Sequence, residues 1–336
     1  MKAYEIEPGT TGLEGLRLTE RPDPRPGPLE VLIRIRATSL NYRDHLVAIG
    51  QYFVPVNRPT IPLSDAAGDV AAVGEAVSRF HAGDRVAGAF LQVWKDGPRP
   101  RTAESLGVPL DGTLAEYIVL HEDGVVAMPA GLTYEEAATL PCAGVTAWNA
   151  LMKGVRPLER GQSVLLIGTG GVSLLALRIA KAAGARVIAT SSSDAKLERV
   201  RKLGADATIN YKSEPQWGAK AAALAGGGID HVVEVGGLGT LAQSMQAVGF
   251  GGEISLIGVL SMQGDTNPIS LMVKGASLRG IFVGSAAMAR ELNAFVDAHQ
   301  LKPVVDRVFG LADARAAYAY QSSAELFGKV VIADRG

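Results

Sequence analysis

One segment constrains the chain more than any other. The short apolar strand Ser163–Ile167 runs straight into Gly168-Thr169-Gly170-Gly171-Val172-Ser173, and a Leu/Ile-striped helix is expected over Val172–Ala183. Strand, glycine turn and helix, in that order, are the context in which a G-x-G-x-x-G spacing has physical content. The first glycine allows the tight turn, and the second lets the backbone approach a pyrophosphate. The helix start then offers unpaired N–H groups at the positive end of its dipole. The third position is Ser173, which is still small enough for close helix–sheet packing. Contacts to a dinucleotide are therefore expected at Gly168, Gly170, Gly171 and Val172. The plain alternative is a glycine-rich turn without a ligand.

Downstream of this loop the alternation continues. Strands are expected at Arg186–Thr190, Thr208–Asn210, Ile229–Val235, Glu253–Ile257 and Leu278–Val283, with a charged amphipathic helix at Asp194–Leu203 and a last helix at Ala286–His299. Alternating strands and helices with continuously apolar strands specify an α/β fold, a doubly wound parallel sheet covered on both faces. The first 125 residues differ. Glu30–Ala37 alternates apolar and charged residues, and further strand-like runs are Gly68–Val73, Arg85–Phe90 and Tyr117–Leu120. Helices are expected at Thr133–Leu140 and Gly144–Lys153, and a tail strand at Lys329–Ala333. With 336 residues, two domains are expected: 1–125 with 300–336, and 126–299.

The end of the second strand of the α/β part bears on which dinucleotide fits. A free ribose 2′-hydroxyl usually meets an Asp or Glu there. Here the run is Thr190-Ser191-Ser192-Ser193, with no carboxylate before Asp194. Hydroxyls of Ser191 and Ser192 can donate to a 2′-phosphate, Lys196 can add charge, and Tyr211 can reach the same place, so NADP(H) is expected. Otherwise the serines only cap a helix.

Composition removes several function classes. Lys and Arg total 33 against 34 Asp and Glu, so nothing in the net charge of −1 favours nucleic acid or an anionic membrane. With 47% hydrophobic and 20% charged residues the chain is not a disordered one. Its one cysteine, Cys142, excludes an internal disulfide and an all-cysteine zinc site. The start, MKAYEIEPGT, has no apolar signal core, and Val164–Leu177 is too short to span a bilayer; a cytoplasmic protein is expected.

Three further segments carry a resemblance. They are Val73-Gly74-Glu75-Ala76-Val77 followed by Phe80-His81-Ala82-Gly83-Asp84-Arg85-Val86, the run Cys142-Ala143-Gly144-Val145-Thr146-Ala147-Trp148, and the glycine loop. Together they resemble the medium-chain dehydrogenase/reductase superfamily over essentially the whole chain. The resemblance implies a GroES-like β-rich catalytic domain followed by a Rossmann domain, and within the superfamily it points to the zinc-free quinone oxidoreductases and alcohol-dehydrogenase-like reductases. The zinc-ligand positions fall on Asn41, on Ser64 with Asp65 beside it, and on Cys142, and the four-cysteine lobe is missing. One thiolate cannot make a three-ligand site, so no metal is expected.

By the same resemblance Asn41 and Tyr42 lie beside the nicotinamide and Tyr52 at the mouth of the pocket, where Asn41 can anchor a carbonyl or ribose and a tyrosine can donate a proton. His45 is a weaker relay candidate, more readily a solvated residue of a helix face. Thr146, Gly236 with Gly237, Phe282 with Val283, and Lys329 take the remaining cofactor contacts. The implied activity is zinc-independent, NADPH-dependent hydride transfer to a conjugated carbonyl or quinone on a small-molecule substrate. An NADP-dependent alcohol dehydrogenase or aldehyde reductase is the alternative, and a non-catalytic NADPH-binding sensor or structural protein the rival from another class. A homodimer paired through Leu278–Val283 is expected, with no nucleic-acid or membrane partner.

Overall fold

In the computed structural model residues 1–258, 260–261 and 263–333 are described. The chain divides into two units, Thr146–Val283 and Met1–Val145 with Gly284–Gly336.

The Thr146–Val283 unit holds β1 (Ser163–Ile167), β2 (Arg186–Ser191), β3 (Ala207–Asn210), β4 (Ile229–Glu234), β5 (Val248–Leu256) and β6 (Ser277–Gly280). Their order in the sheet is 3-2-1-4-5-6, and every neighbouring pair is parallel. Parallel strands cannot be joined by tight hairpins, so helices such as Gly171–Ala182 and Leu238–Ala247 make the crossovers. β1 shows why the strands read as continuous apolar runs: Val164, Leu165 and Leu166 are at most 1% exposed, buried on both sheet faces. Each contributes about 2 kcal/mol of burial. The strand order reverses between β1 and β4, so the loops leaving their carboxyl ends diverge and open a crevice, the usual ligand position of such sheets.

The other unit is built on a seven-stranded sheet. Val305–Phe309, Lys329–Ala333, Glu30–Ser39, Asp65–Val73, Arg85–Gly88 and Val125–Ala127 follow in that order, and Tyr117–His121 also pairs Glu30–Ser39. All pairs but the first are antiparallel. Val31, Ile33 and Ile35 face a core with Val70, Val86, Ile118 and Leu120, as the alternation of Glu30–Ala37 requires. A second core gathers Leu40, Val47, Leu63, Tyr318, Val330 and Ile332 around the helices Tyr42–Ala48 and Ala314–Gln321.

Several expectations shift. The unit boundaries fall at 145/146 and 283/284, not at 125/126 and 299/300. The helix Ala286–His299 belongs with the β-rich unit: its first N–H groups donate to the carbonyls of Trp94 and Lys95, and Asn293 Nδ2 donates to Ala127 O at 2.8 Å. An amphipathic stripe shows that a helix packs, not on which sheet. The strand expected to reach Val283 ends at Gly280, and the one expected to reach Phe90 ends at Gly88. Instead of one helix over Thr133–Leu140 there is a short turn of helix, Tyr134–Ala137, and then a π-helical turn, Leu140–Gly144, that carries Cys142. Among the described residues no helix is long and apolar enough to cross a membrane.

Candidate active site

The glycine loop has the geometry a pyrophosphate needs. Gly168 has φ +73°, a left-handed conformation that a side chain would strain, and a Cβ on either Gly168 or Gly170 would meet no atom within 4 Å. That open space lies at the start of the helix Gly171–Ala182, whose N-terminus no side chain caps. Ser173 explains its own presence: it is buried and its hydroxyl donates to Ile167 O at 2.8 Å, tying the helix to β1. The Gly168 N–H donates to Thr190 Oγ1 at 3.3 Å, which links the loop to the end of β2.

The loop leaving β4 is organised by a residue that no motif singles out. Glu234 is fully buried, and its Oε1 accepts the N–H groups of Gly236 (2.7 Å) and Gly237 (3.1 Å) and the Thr240 hydroxyl (2.5 Å). The Ser244 hydroxyl donates to Oε2. Gly236 is thus positioned by a carboxylate at the strand end. A glutamate closing the apolar run His231-Val232-Val233-Glu234 is the signal the sequence offers, because a buried carboxylate must be satisfied.

Around the ends of β2 and β3, Ser191, Ser192 and Tyr211 come together: the Tyr211 N–H donates to Ser191 O at 3.1 Å. Ser191 Oγ accepts the Ser193 N–H, and Ser193 Oγ accepts the Lys196 N–H, so Ser193 caps the helix Asp194–Lys202 and places Lys196 in its first turn. Asp194 is occupied by Asn210, whose Nδ2 donates to it at 2.8 Å.

Phe282 and Val283 lie past the strand rather than at its end. Val283 has φ +55°, an outlier for a β-branched residue, and such strain costs about 1–3 kcal/mol. Its carbonyl accepts Asn149 Nδ2 at 2.6 Å, and Arg279 holds Asn149 through both Oδ1 and the backbone carbonyl while bonding Glu253. Thr146 is buried in the helix Val145–Met152.

The β-rich unit gathers Asn41, Ser64, Asp65, Cys142 and Lys329 from four distant stretches of chain. Asp65, fully buried, is the hub: its Oδ1 accepts the Ser64 hydroxyl at 2.7 Å and its Oδ2 the Cys142 N–H at 3.1 Å. Lys329 Nζ donates to Leu40 O and to Asn41 Oδ1, both at 2.6 Å, and stands 3.9 Å from Asp65. Only 3% exposed, this lysine is turned into the unit. Asn41 Nδ2 points toward Ser64 Oγ at 3.5 Å, the outer limit of a hydrogen bond. Leu63, just before Ser64, is held at φ +67°, the kind of stored strain that clusters at functional sites.

Cys142 is partly exposed, yet burial first and then Asp65 push its thiol up, so it stays protonated. Tyr52 packs on the Arg43 guanidinium, 4.8 Å from its ring centre; burial pushes its phenol up, against the opposing charge of Arg43. Tyr42, by contrast, opens the helix Tyr42–Ala48 and is 38% exposed. His45 is only partly solvated: the residue is half-buried, its Nδ1 is buried without a hydrogen-bond partner among the described residues, and burial lowers its pKa.

Asp44 accepts the Asn41 N–H at 2.7 Å and faces Arg43 at 3.4 Å; burial nevertheless raises its carboxyl from 3.8 to about 6, with Arg43 opposing. Between these values the folded chain holds a proton that the unfolded chain releases. This stabilisation is complete below the unfolded value and is lost as pH rises through about 6. Urea denaturation at pH 4.5 and 8 is therefore expected to show a loss of about 2 kcal/mol in the parent that Asp44→Asn lacks. Equal losses in both proteins would refute the assignment.

Comparison with known proteins agrees with this geometry. Residues 27–130 match the alcohol dehydrogenase GroES-like domain, and residues 171–298 match the zinc-binding dehydrogenase family. A zinc-type alcohol dehydrogenase-like protein of Schizosaccharomyces pombe is 43% identical, with 98% of each chain covered. A 2-methylene-furan-3-one reductase of Solanum lycopersicum is 31% identical over 90% of this chain and 71% of its own. Among solved structures, one from Sinorhizobium meliloti 1021 assigned as an alcohol dehydrogenase superposes with a TM-score of 0.91 at 42% identity, over 99% of both chains. An NAD-dependent alcohol dehydrogenase gives 0.90 at 33% identity, also over 99% of both chains.

Proposed function

Because the chain belongs to the medium-chain dehydrogenase/reductase superfamily, we propose that it is a zinc-independent NADPH-dependent oxidoreductase that reduces a conjugated carbonyl or a quinone. The observation that carries this reading is the donor set around Asp65. Tetrahedral zinc needs three or four thiolate, imidazole or carboxylate ligands. Here the candidate ligands are an amide, a hydroxyl, one thiol and one carboxylate, and a lysine ammonium bonded to the amide and 3.9 Å from the carboxylate would repel a divalent cation. Among the described residues no three His, Cys, Asp or Glu side chains converge as metal ligands do. These residues do not fit zinc.

Without a Lewis acid, a conjugated acceptor is the easier substrate, since its developing charge spreads onto an oxygen that hydrogen-bond donors can stabilise. A nicotinamide cofactor, when bound at the glycine loop, supplies the hydride. In this reading Asn41 Nδ2 donates to the developing oxyanion and Tyr52, whose phenol burial pushes up, delivers a proton; the weak 3.5 Å contact of Nδ2 supports it. NADPH over NADH is supported by Ser191, Ser192, Lys196 and Tyr211 and by Asp194 being bonded to Asn210. We also propose a homodimer, because among the described residues nothing pairs one edge of β6, and Leu278, Ile269, Met272 and Val273 are exposed in and before it. Sedimentation at the mass of one chain would remove that element.

The test is NADPH and NADH oxidation by chelator-treated protein, with an enone and its saturated ketone compared. Turnover of the enone at least ten times faster, with NADPH preferred, is expected. Equal or faster turnover of the saturated ketone would mean an alcohol dehydrogenase or aldehyde reductase, and activity restored only by added zinc would refute metal independence. NADPH binding without turnover of either acceptor would favour a sensor.

A further inference from the structure

We propose that Lys329 is a positioning residue that fixes and polarises the Asn41 amide as the electrophile of the site. This rests on the reading that Asn41 meets the acceptor oxygen. An ammonium has only donors, so its 2.6 Å contact can be made only to the carbonyl end of the Asn41 amide. The NH2 end is therefore committed to face the other way, toward Ser64 Oγ. At 3.5 Å that contact leaves its donor capacity largely unspent. The hydroxyl it faces already donates to Asp65 at 2.7 Å and has no proton to offer back.

The direction of donation is thus the same at every step, from Lys329 to Asn41 to Ser64 to Asp65. Bonds in such a chain strengthen one another in a low-dielectric interior. Lys329 is 3% exposed and Asn41 9%, so bulk water screens the ammonium little. A positive charge on the amide oxygen withdraws electron density from its nitrogen and makes the remaining N–H a stronger donor to a ligand oxygen. The lysine contributes, through one amide, part of what a metal would contribute directly. The Leu40 carbonyl, also at 2.6 Å, keeps the ammonium from swinging away.

The test compares Asn41→Asp, Lys329→Met, Lys329→Arg and Asn41→Ala with Lys329→Met in one chain. Asn41→Asp keeps the shape and the lysine contact but has no donor. Its kcat with an enone is expected to fall about 100-fold at an unchanged melting temperature and unchanged NADPH affinity. Lys329→Met is expected to lower kcat about 10-fold or more with KM within a factor of about two, and Lys329→Arg to recover part of it. The double variant should be no slower than Asn41→Ala alone, because the lysine acts through the asparagine. A readout that needs no turnover is the side-chain amide proton resonance of Asn41, expected to move upfield in Lys329→Met. An unmoved resonance, additive effects in the double variant, or full kcat in Asn41→Asp would each overturn the proposal. A parent protein that reduces no acceptor, with the resonance still shifted, would refute the enone-reductase reading and leave the lysine–asparagine coupling standing.

Discussion

Gly170→Val is expected to abolish measurable cofactor binding in a chain that still folds. Gly170 sits at φ −81° and ψ −177°, an extended conformation open to any residue, and a Cβ there would touch nothing within 4 Å. The protein itself has no steric objection. Valine is a poorer helix N-cap than glycine, which costs about 1 kcal/mol and shifts the melting temperature by roughly 2–4 °C. What the methyl groups do obstruct is the approach of a pyrophosphate to the backbone at the helix start. A loss of at least 100-fold in NADPH affinity is expected, about 3 kcal/mol, read by titration of nicotinamide fluorescence. Gly168→Val is the contrasting variant: at φ +73° it adds about 1–2 kcal/mol of backbone strain, so affinity and stability fall together. Wild-type affinity in Gly170→Val would show that the loop is only a turn.

Glu234→Ala is expected to produce the largest stability loss of any single substitution in the parallel-sheet unit. It strips the acceptor from two backbone N–H groups just after β4 and from two hydroxyls of the helix Leu238–Ala247 that follows. Hydrogen bonds to a charged group contribute about 1.5–3 kcal/mol each, and donors left buried and unpaired add to the loss. The contributions are not additive, and about 4 kcal/mol by urea denaturation is the expected sum. NADPH affinity should also fall, because Gly236 and Gly237 lose the group that holds their loop. Glu234→Gln keeps one acceptor oxygen and should lie between the two. A loss below about 1 kcal/mol in Glu234→Ala would mean that the four donors find water instead.

Legibility followed sequence distance. The β1 strand, the glycine loop and the helix after it lie close together in the chain, so their chemistry could be read directly, including the small third motif residue Ser173. The serine run at the end of β2 was legible for the same reason. Val283 was expected at a strand end; its left-handed backbone depends on Asn149 and Arg279, which no local pattern joins to it. In the tail after the last long helix the sequence pattern shows only the strand Lys329–Ala333. Its helix Ala314–Gln321, with the sequence ARAAYAYQ, has alanines on both its buried face (Ala314, Ala317) and its exposed face (Ala316, Ala319), so alanine marks neither face.

The order of residues in the chain was enough for the α/β class, the parallel sheet with its glycine loop and the β-rich remainder. Those are properties of local spacing, burial periodicity and side-chain chemistry. Long-range packing, by contrast, turns Lys329 inward onto Asn41, makes Glu234 the anchor of the second loop, and seats the helix Ala286–His299 in the β-rich unit. Each depends on which buried donor meets which acceptor, whether across a long stretch of chain or across a turn. A buried charge must be satisfied somewhere, but its partner is chosen by the packed fold rather than by the order of the chain.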